Sequence, residues 1–164
     1  MIILGIDPGF GRLGYAILES RSGQETLRVA QCIETPRTLP HAERLLMIAD
    51  TLEQEIKTRK PDVVAIEKLF FTKNQKTAIG VAEARGVVLL LSAKFNIPIF
   101  ECTPLEVKIA LTGYGKAQKS QVQMMVKTLL RLPAIPKPDD IADAIAVTLT
   151  CAASWRATSH AERQ

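Results

Sequence analysis

The sequence is short of cysteine and histidine, and this shortage argues against a disulfide-rich protein and against a zinc protein. Its 164 residues contain three cysteines, Cys32, Cys102 and Cys151, and two histidines, His41 and His160. The cysteines are odd in number and form no C-x-x-C pair, which favours reduced thiols in a cytoplasmic protein. Both histidines lie far in sequence from every acidic residue considered below, which disfavours a zinc site.

Long apolar runs are also missing. The longest mostly apolar stretch, residues 87–93, is too short to span a bilayer. No basic region precedes the first apolar residues and Asp7 interrupts them, so we expect no secretory signal. A composition of 47% hydrophobic and 23% charged residues is typical of a globular protein. We expect a single domain over residues 1–156 and a flexible C-terminal tail over residues 157–164.

Positive charge is concentrated in two segments of the chain. Residues 68–82 carry +3 and residues 102–138 carry +5, whereas the net charge of the whole chain is +4. The remainder of the chain is therefore acidic. Clustered lysine and arginine beside acidic residues indicate a surface that binds phosphate groups, and nucleic acid is the polyanion that fits best.

Hydrophobic periodicity predicts ten elements in the order β-β-β-α-β-α-β-α-α-α. The predicted strands are residues 2–6, 13–18, 27–33, 62–67 and 97–100. The predicted helices are residues 42–57, 77–95, 106–111, 120–130 and 139–155. Three antiparallel strands followed by parallel strands predict an α/β fold with one mixed five-stranded sheet and helices on both faces.

Two acidic residues end predicted apolar strands. Asp7 follows residues 2–6, and Glu67 follows residues 63–66. A turn-forming aspartate before Pro8-Gly9, or an ordinary acid at a strand end, would explain either one alone. If the two strands are neighbours and parallel, however, both carboxylates meet at one edge of the sheet, where α/β proteins place their sites.

Three more acids open the last predicted helix. Asp139 and Asp140 suit an N-terminal cap, but Asp143 lies in an almost wholly apolar stretch. Asp140 and Asp143 share one helix face because they are three residues apart. Several ionised carboxylates in one place repel one another, and Mg²⁺ with its preference for oxygen ligands would hold them together. Two such ions can hydrolyse a phosphodiester.

These residues stand in segments that resemble the RuvC family of Holliday-junction resolvases, in the right order over nearly the whole chain. The segments are Gly5-Ile6-Asp7-Pro8-Gly9, Ala65-Ile66-Glu67, Phe70 with Lys73-Asn74, Ala84-Arg85-Gly86-Val87, Glu106-Val107-Lys108, Lys119-Ser120-Gln121-Val122-Gln123 and Asp140-Ile141-Ala142-Asp143-Ala144. The resemblance implies an RNase H-like fold. It also implies four metal-binding and catalytic carboxylates, namely Asp7, Glu67, Asp140 and Asp143.

The same resemblance implies residues that bind DNA. Lys108 and Lys119 match basic residues near the scissile phosphate, and Phe70 matches an aromatic residue that stacks on bases at the junction. We also expect contacts from Lys73, close to Phe70, and from Lys116, in the second basic segment. Phe71 directly follows Phe70, so either ring could meet the DNA.

The implied activity is a metal-dependent endonuclease of homologous recombination and DNA repair. A homodimer would make paired, symmetric nicks in a four-way DNA junction, with two Mg²⁺ ions in each site and Mn²⁺ as an accepted substitute. The resemblance also implies cooperation with the RuvA–RuvB branch-migration complex.

Three other interpretations compete with this one, and the first of them fails on its context. The stretch from Gly9 to Gly14 matches the dinucleotide-binding pattern G-x-G-x-x-G, with Glu34 about 20 residues on. That pattern needs a helix next, and the sequence predicts a strand. An RNase H-like nuclease acting on a hybrid or structured RNA is the nearest alternative, and a non-catalytic DNA-binding module is the other.

Overall fold

A computed structural model describes residues 1–21, 23–68 and 75–161, with side chains for all of these except 75–77 and 156–161. The strands found there are β1 (Ile2–Asp7), β2 (Arg12–Arg21), β3 (Gln24–Glu34), β4 (Val63–Glu67) and β5 (Ile99–Cys102). The helices are α1 (His41–Arg59), α2 (Gln75–Lys94), α3 (Pro104–Thr112), α4 (Lys119–Leu129) and α5 (Asp139–Ala161). Type and order of the elements agree with the prediction.

The strands form one mixed sheet in the order β3-β2-β1-β4-β5. The first three strands pair antiparallel, whereas β1, β4 and β5 run parallel to one another. Both connections between the parallel strands pass through a helix, as parallel pairing requires. The predicted α/β class and mixed sheet are confirmed.

Successive side chains of the central strands enter two different cores because strand side chains alternate between faces. Ile3 packs into the core formed with α3, α4 and α5. Leu4 and Ile6 pack into the other core, formed with α1 and α2. The sheet is thus covered on both faces, which explains why its inner strands are apolar at nearly every position.

Two glycines let α5 lie directly on the sheet. A Cβ atom on Gly5 of β1 would stand 2.7 Å from the carbonyl oxygen of Ala144, and one on Gly14 of β2 would stand 2.0 Å from that of Asp140. Both distances are far below van der Waals contact, so any other residue would push α5 away. The close approach brings the first turn of α5 to the end of β1.

Some element boundaries differ from the prediction for local reasons. β5 begins at Ile99 instead of residue 97, since Pro98 has no N–H to donate to a neighbouring strand. α3 begins two residues early, at Pro104, because Thr103 and Glu106 form a capping box. α5 continues to Ala161, so helical backbone covers residues 157–161 of the segment expected to be a flexible tail.

The strand β2 continues from Arg12 to Arg21, where a dinucleotide-binding motif would need a helix. The dinucleotide interpretation is therefore wrong. In the described ranges, no helix is long and apolar enough to cross a membrane, and the three cysteines carry free thiols.

The Gly14 contact yields a stability prediction. Gly14→Ala should destabilise the protein by about 1–3 kcal/mol or more. The reason is that the Cβ of the new alanine would overlap the backbone of Asp140. Gly11→Ala is the matched control, since its Cβ would meet only the end of the Arg44 side chain at 3.7 Å. Urea unfolding of both variants measures the difference. Equal stability of the two would show that α5 does not rest on Gly14.

Candidate active site

Asp7 and Glu67 project from the sheet toward α5. Asp7 has the same strand parity as Ile3 and Gly5, and Glu67 has the same parity as Val63, whose side chain lies in the α5 core. The paired residues Ile6 and Ile66 directly precede the two acids. The carboxylates are therefore neighbours at one edge of the sheet and on one face, as the sequence predicted.

Asp140 and Asp143 reach the same place from the first turns of α5. The backbone of Asp140 passes directly over Gly14. Gly14 in turn pairs with Asp7 across the sheet. The remaining acid, Asp143, interacts electrostatically with both Asp7 and Glu67. The structure thus brings together the four carboxylates that the sequence singled out, and we call them the four site carboxylates.

Burial and crowding shift the ionisation of three of these acids, Asp7, Glu67 and Asp143, toward the protonated form. Burial, followed by the negative charges of Asp143, Glu67 and Asp140, raises the pKa of Asp7 to about 7. Burial and Asp143 also raise the pKa of Glu67. Burial is the main cause of the raised pKa of Asp143, and Lys119 opposes it. Burial and neighbouring negative charges thus disfavour the ionised forms, which positive charge would stabilise.

Two basic side chains supply part of that charge. The Nζ of Lys119 lies 2.6 Å from Asp139 and 2.7 Å from Asp143. The guanidinium of Arg12 lies 3.2 Å from Asp140 and 3.8 Å from Asp139. Burial works to lower the pKa of Lys119, but its hydrogen bonds to Asp139 and Asp143 outweigh burial and raise it.

The donor set suits a hard divalent cation. It consists of carboxylate oxygens, the ligands that Mg²⁺ prefers, and the buried Oδ2 of Asp140 makes no hydrogen bond. Arg12 Nε is within ion-pair distance of that oxygen, but its direction does not satisfy hydrogen-bond geometry. A metal ion would supply the missing partner.

The carboxylates are not yet arranged as a coordination sphere. Within residues 1–21, 23–68 and 75–161, no three acidic, histidine or cysteine side chains surround one point as metal ligands would. Two of the four site carboxylates, Asp140 and Asp143, instead pair with Arg12 and Lys119. A metal ion bound by Asp140 and Asp143 would therefore share these carboxylates with Arg12 and Lys119 or displace the two cations.

Two lysines of the second basic segment have no carboxylate partner among the described residues. Lys108 of α3 and Lys116, in the loop before α4, form no ion pair with any described residue. Lys116 is exposed and Lys108 half-buried, so both ammonium groups remain available to an external anion. Phe70 and Lys73, the other predicted DNA contacts, lie outside the described residues.

Sequence reasoning did not assign Arg12 to the site, and it treated Asp139 only as a helix cap. Arg12 begins β2, and only the fold shows that this strand end faces α5. The sequence gives only a weak indication that Asp139 is functional, namely that three acids within five residues are more than a helix cap needs. No pattern in the sequence indicates that Asp139 contacts both Arg12 and Lys119.

An aromatic stack fixes the loop that follows Asp7. The Phe10 ring stacks on His41 with 4.2 Å between ring centroids, and the Arg44 guanidinium carbon lies 3.9 Å from the Phe10 ring centre. The Phe10 carbonyl accepts a 2.6 Å hydrogen bond from Thr35 Oγ1. These contacts limit the freedom of the backbone at Asp7 and so help to position its carboxylate.

Comparison with known proteins gives consistent matches along the chain. The family model described as "Crossover junction endodeoxyribonuclease RuvC" matches residues 3–151. A protein of that name from Desulforamulus reducens is 51% identical over 158 residues, 96% of each chain. Another, from Caldicellulosiruptor saccharolyticus, is 52% identical over 150 residues, 91% of this chain and 90% of the relative.

A solved structure extends the match to three dimensions. Thermus thermophilus RuvC in complex with a Holliday junction substrate superimposes with a TM-score of 0.92 at 32% identity, over 96% of each chain. An RNase H-like resolvase fold was the prediction from the sequence. The likeness of this resolvase structure confirms it.

The raised pKa of Asp7 yields a prediction for the metal-free protein. The folded protein holds the Asp7 proton more tightly than the unfolded chain, so ionised Asp7 destabilises the fold. This cost is absent below the ordinary pKa of 3.8 and complete above about pH 7. With EDTA present, Asp7→Asn should therefore stabilise the protein at pH 8 by on the order of 4 kcal/mol.

The gain should fall to less than half at pH 5, because Asp7 is then largely protonated in the folded protein. Urea unfolding at both pH values measures it. Asp50→Asn, a change at an exposed acid of α1, should alter stability by less than about 0.5 kcal/mol at either pH. A loss of stability in Asp7→Asn at pH 8 would contradict the burial of an uncompensated charge.

Proposed function

Because the chain belongs to the RuvC family of crossover junction endodeoxyribonucleases, we propose that it resolves Holliday junctions in DNA recombination and repair. It would cut one phosphodiester in each of two opposed strands of a four-way junction. The observation that carries this proposal is the convergence of the four site carboxylates at one edge of the sheet. Acids gathered there at a cost in stability indicate a metal-dependent reaction, not a binding module alone.

The four site carboxylates would hold Mg²⁺, with Mn²⁺ as a substitute. Two bound ions would supply a nucleophilic water and stabilise the leaving oxygen of the phosphodiester. The protein's own contribution is to fix the carboxylates on rigid elements, β1, β4 and α5, so that little reorganisation is needed during the reaction. Lys119, already beside Asp143, can donate a hydrogen bond to the scissile phosphate.

The available lysines would hold the DNA backbone close to the site. Lys108 and Lys116 precede Lys119 in sequence and lack carboxylate partners among the described residues. Lysine–phosphate contacts supply most of the affinity for DNA and do not depend on its sequence. From the family resemblance we propose that Phe70 stacks on an unpaired base at the crossover and that Lys73 contacts the backbone beside it.

We propose that the protein acts as a homodimer, because two identical sites related by a two-fold axis match the symmetry of a four-way junction. The outer face of α2 is the candidate interface. Ile79 and Leu90 are each 68% exposed there, and a Cβ on Gly86 between them would meet nothing within 4 Å. An exposed apolar stripe with a small residue at its middle suits close packing against a second copy.

The rest of the cellular setting is also proposed from family membership. The nicked duplexes would form in the cytoplasm, after branch migration by the RuvA–RuvB complex has moved the junction. Nicks with 5′-phosphate and 3′-hydroxyl ends can be sealed directly by a ligase.

The deciding experiment compares three substrates. Purified protein with Mg²⁺ should nick a synthetic four-way junction symmetrically and leave linear duplex and RNA–DNA hybrid largely intact. Preference for the hybrid would instead assign the protein to the RNA-directed RNase H-like nucleases. Tight junction binding without any metal-dependent nicking would leave only a DNA-binding module.

Asp7→Asn should abolish junction cleavage and leave junction binding nearly unchanged. The substitution removes a ligand charge but almost no volume, whereas affinity comes mainly from lysines. Single-turnover cleavage and a gel-shift titration at fixed salt separate the two effects. Cleavage within about tenfold of the wild type, equivalent to about 1.4 kcal/mol in the barrier, would remove Asp7 from the metal site.

Salt dependence tests the lysines. Lys108→Gln should reduce the slope of log binding constant against log salt concentration by roughly 0.9, because one phosphate contact is lost. Lys94→Gln is the control, since Lys94 already pairs with Glu53 on the α1–α2 face of the protein. Binding is measured for both at several salt concentrations with Ca²⁺ in place of Mg²⁺. An unchanged slope for Lys108→Gln would show that Lys108 does not contact phosphate.

The oligomeric state tests the α2 face. The wild type should sediment as a dimer at micromolar concentration, and Leu90→Glu should shift it to monomer because a buried charge would have no partner. Leu129→Glu, at a 51% exposed leucine at the end of α4, should leave the dimer intact. A monomeric wild type, with junction present, would contradict the proposed dimer.

A further inference from the structure

Asp139 lies at the centre of a chain of ion pairs along the edge of the active site. One carboxylate oxygen accepts a 2.6 Å hydrogen bond from Lys119, and the other lies 3.8 Å from Arg12. Lys119 continues to Asp143 at 2.7 Å, and Arg12 continues to Asp140 at 3.2 Å. Among the three acids of these ion pairs, Asp139 is thus the one that contacts both Lys119 and Arg12.

Its exposure sets Asp139 apart from the two half-buried acids of the same helix. The Asp139 side chain is 49% exposed, whereas Asp140 and Asp143 are 18% and 26% exposed. About half of the Asp139 side chain faces solvent, so Asp139 is not a core residue. The role of Asp139 must be sought in what it does to Lys119 and Arg12.

Lys119 and a metal ion would compete for the negative charge of Asp143. Lys119 donates to Asp143 Oδ2, so Asp143 can offer both of its oxygens to a metal only if that hydrogen bond weakens. The lysine must nevertheless stay nearby if it is to contact the scissile phosphate. Asp139 meets both needs, because it gives the ammonium group a second anion that is not required for the metal.

We propose, on the basis of the function proposed above, that Asp139 is a positioning residue that retains Lys119 at the edge of the active site when Asp143 turns to the metal. Without the Asp139 charge, Asp143 is the nearest anion left to Lys119, which then competes more strongly with the metal for it. Asp139 therefore assists metal binding through Lys119 and not as a ligand.

The geometry limits how Lys119 can move. Lys119 is the first residue of α4, and a capping box between Gln118 and Gln121 fixes the first turn of that helix. Asp139 is the first residue of α5, so both partners project from fixed helix ends. Lys119 can move from Asp143 toward Asp139 by rotating its own side chain, without a shift of either helix.

The test is a double-mutant cycle read by Mn²⁺ binding to the DNA-free protein in isothermal titration calorimetry. Asp139→Asn should weaken Mn²⁺ binding by about two- to fivefold, the range of an exposed ion pair. Lys119→Gln should strengthen it, since a competitor is removed. When Lys119 is already replaced by Gln, Asp139→Asn should lower the logarithm of the Mn²⁺ affinity by less than half as much as it does in the wild type. The reason is that Asp139 acts through the lysine.

Three further measurements complete the design. Glu34→Gln removes an exposed negative charge from the strand position paired with Arg12 and should leave Mn²⁺ affinity within about twofold. Asp139→Glu should restore affinity to at least half that of the wild type. The Mn²⁺ concentration for half-maximal junction cleavage should rise in Asp139→Asn in parallel with its weaker binding.

The outcomes are distinct. If Asp139→Asn lowered Mn²⁺ affinity equally in the wild type and in Lys119→Gln, Asp139 would act independently of the lysine, either as a metal ligand or through its charge alone. That result would overturn the proposal. Unchanged or weaker binding in Lys119→Gln would overturn the competition between lysine and metal. Wild-type protein that binds Mn²⁺ but cuts no junction would instead contradict the proposed function and leave the binding cycle interpretable.

Discussion

The mutual repulsion of carboxylates packed at one edge of the sheet is the constraint on which the arrangement of this protein depends. Burial and neighbouring acids raise the pKa of Asp7 to about 7, which shows how poorly its charge is compensated. Such a site must be supported by stability gained elsewhere. Two separate cores, one on each face of the sheet, provide this support, because they fix β1 and β4 from both sides.

The same constraint explains the small residues around the site. Gly14 lets α5 pass so close to β2 that Asp140 reaches the acid at the end of β1. On the opposite side, the stack of Phe10 on His41 holds the loop after Asp7. The acids thus cannot relieve their repulsion by moving apart, and the remaining way to lower the energy is to bring positive charge to them.

Much of this could be predicted from the sequence, because it follows from local patterns. Apolar strands that end in Asp7 and Glu67 place both acids at one sheet edge once the strands are parallel, and Asp140 and Asp143 share a helix face by spacing alone. The roles of Arg12 and Asp139 could not be predicted. They depend on which strand end meets which helix end, and that relation appears only after the chain has folded.

Arg12 and Lys119 also explain how acids suited to a metal can fold without one. A cluster of ionised carboxylates would resist folding, whereas Lys119 and Arg12 neutralise two of them from within the chain. Neither cation is buried, each being about half exposed, so both ion pairs are weak and can open at little cost in free energy. The protein can therefore fold around ion pairs of its own, because the cations that neutralise Asp140 and Asp143 come from the same chain.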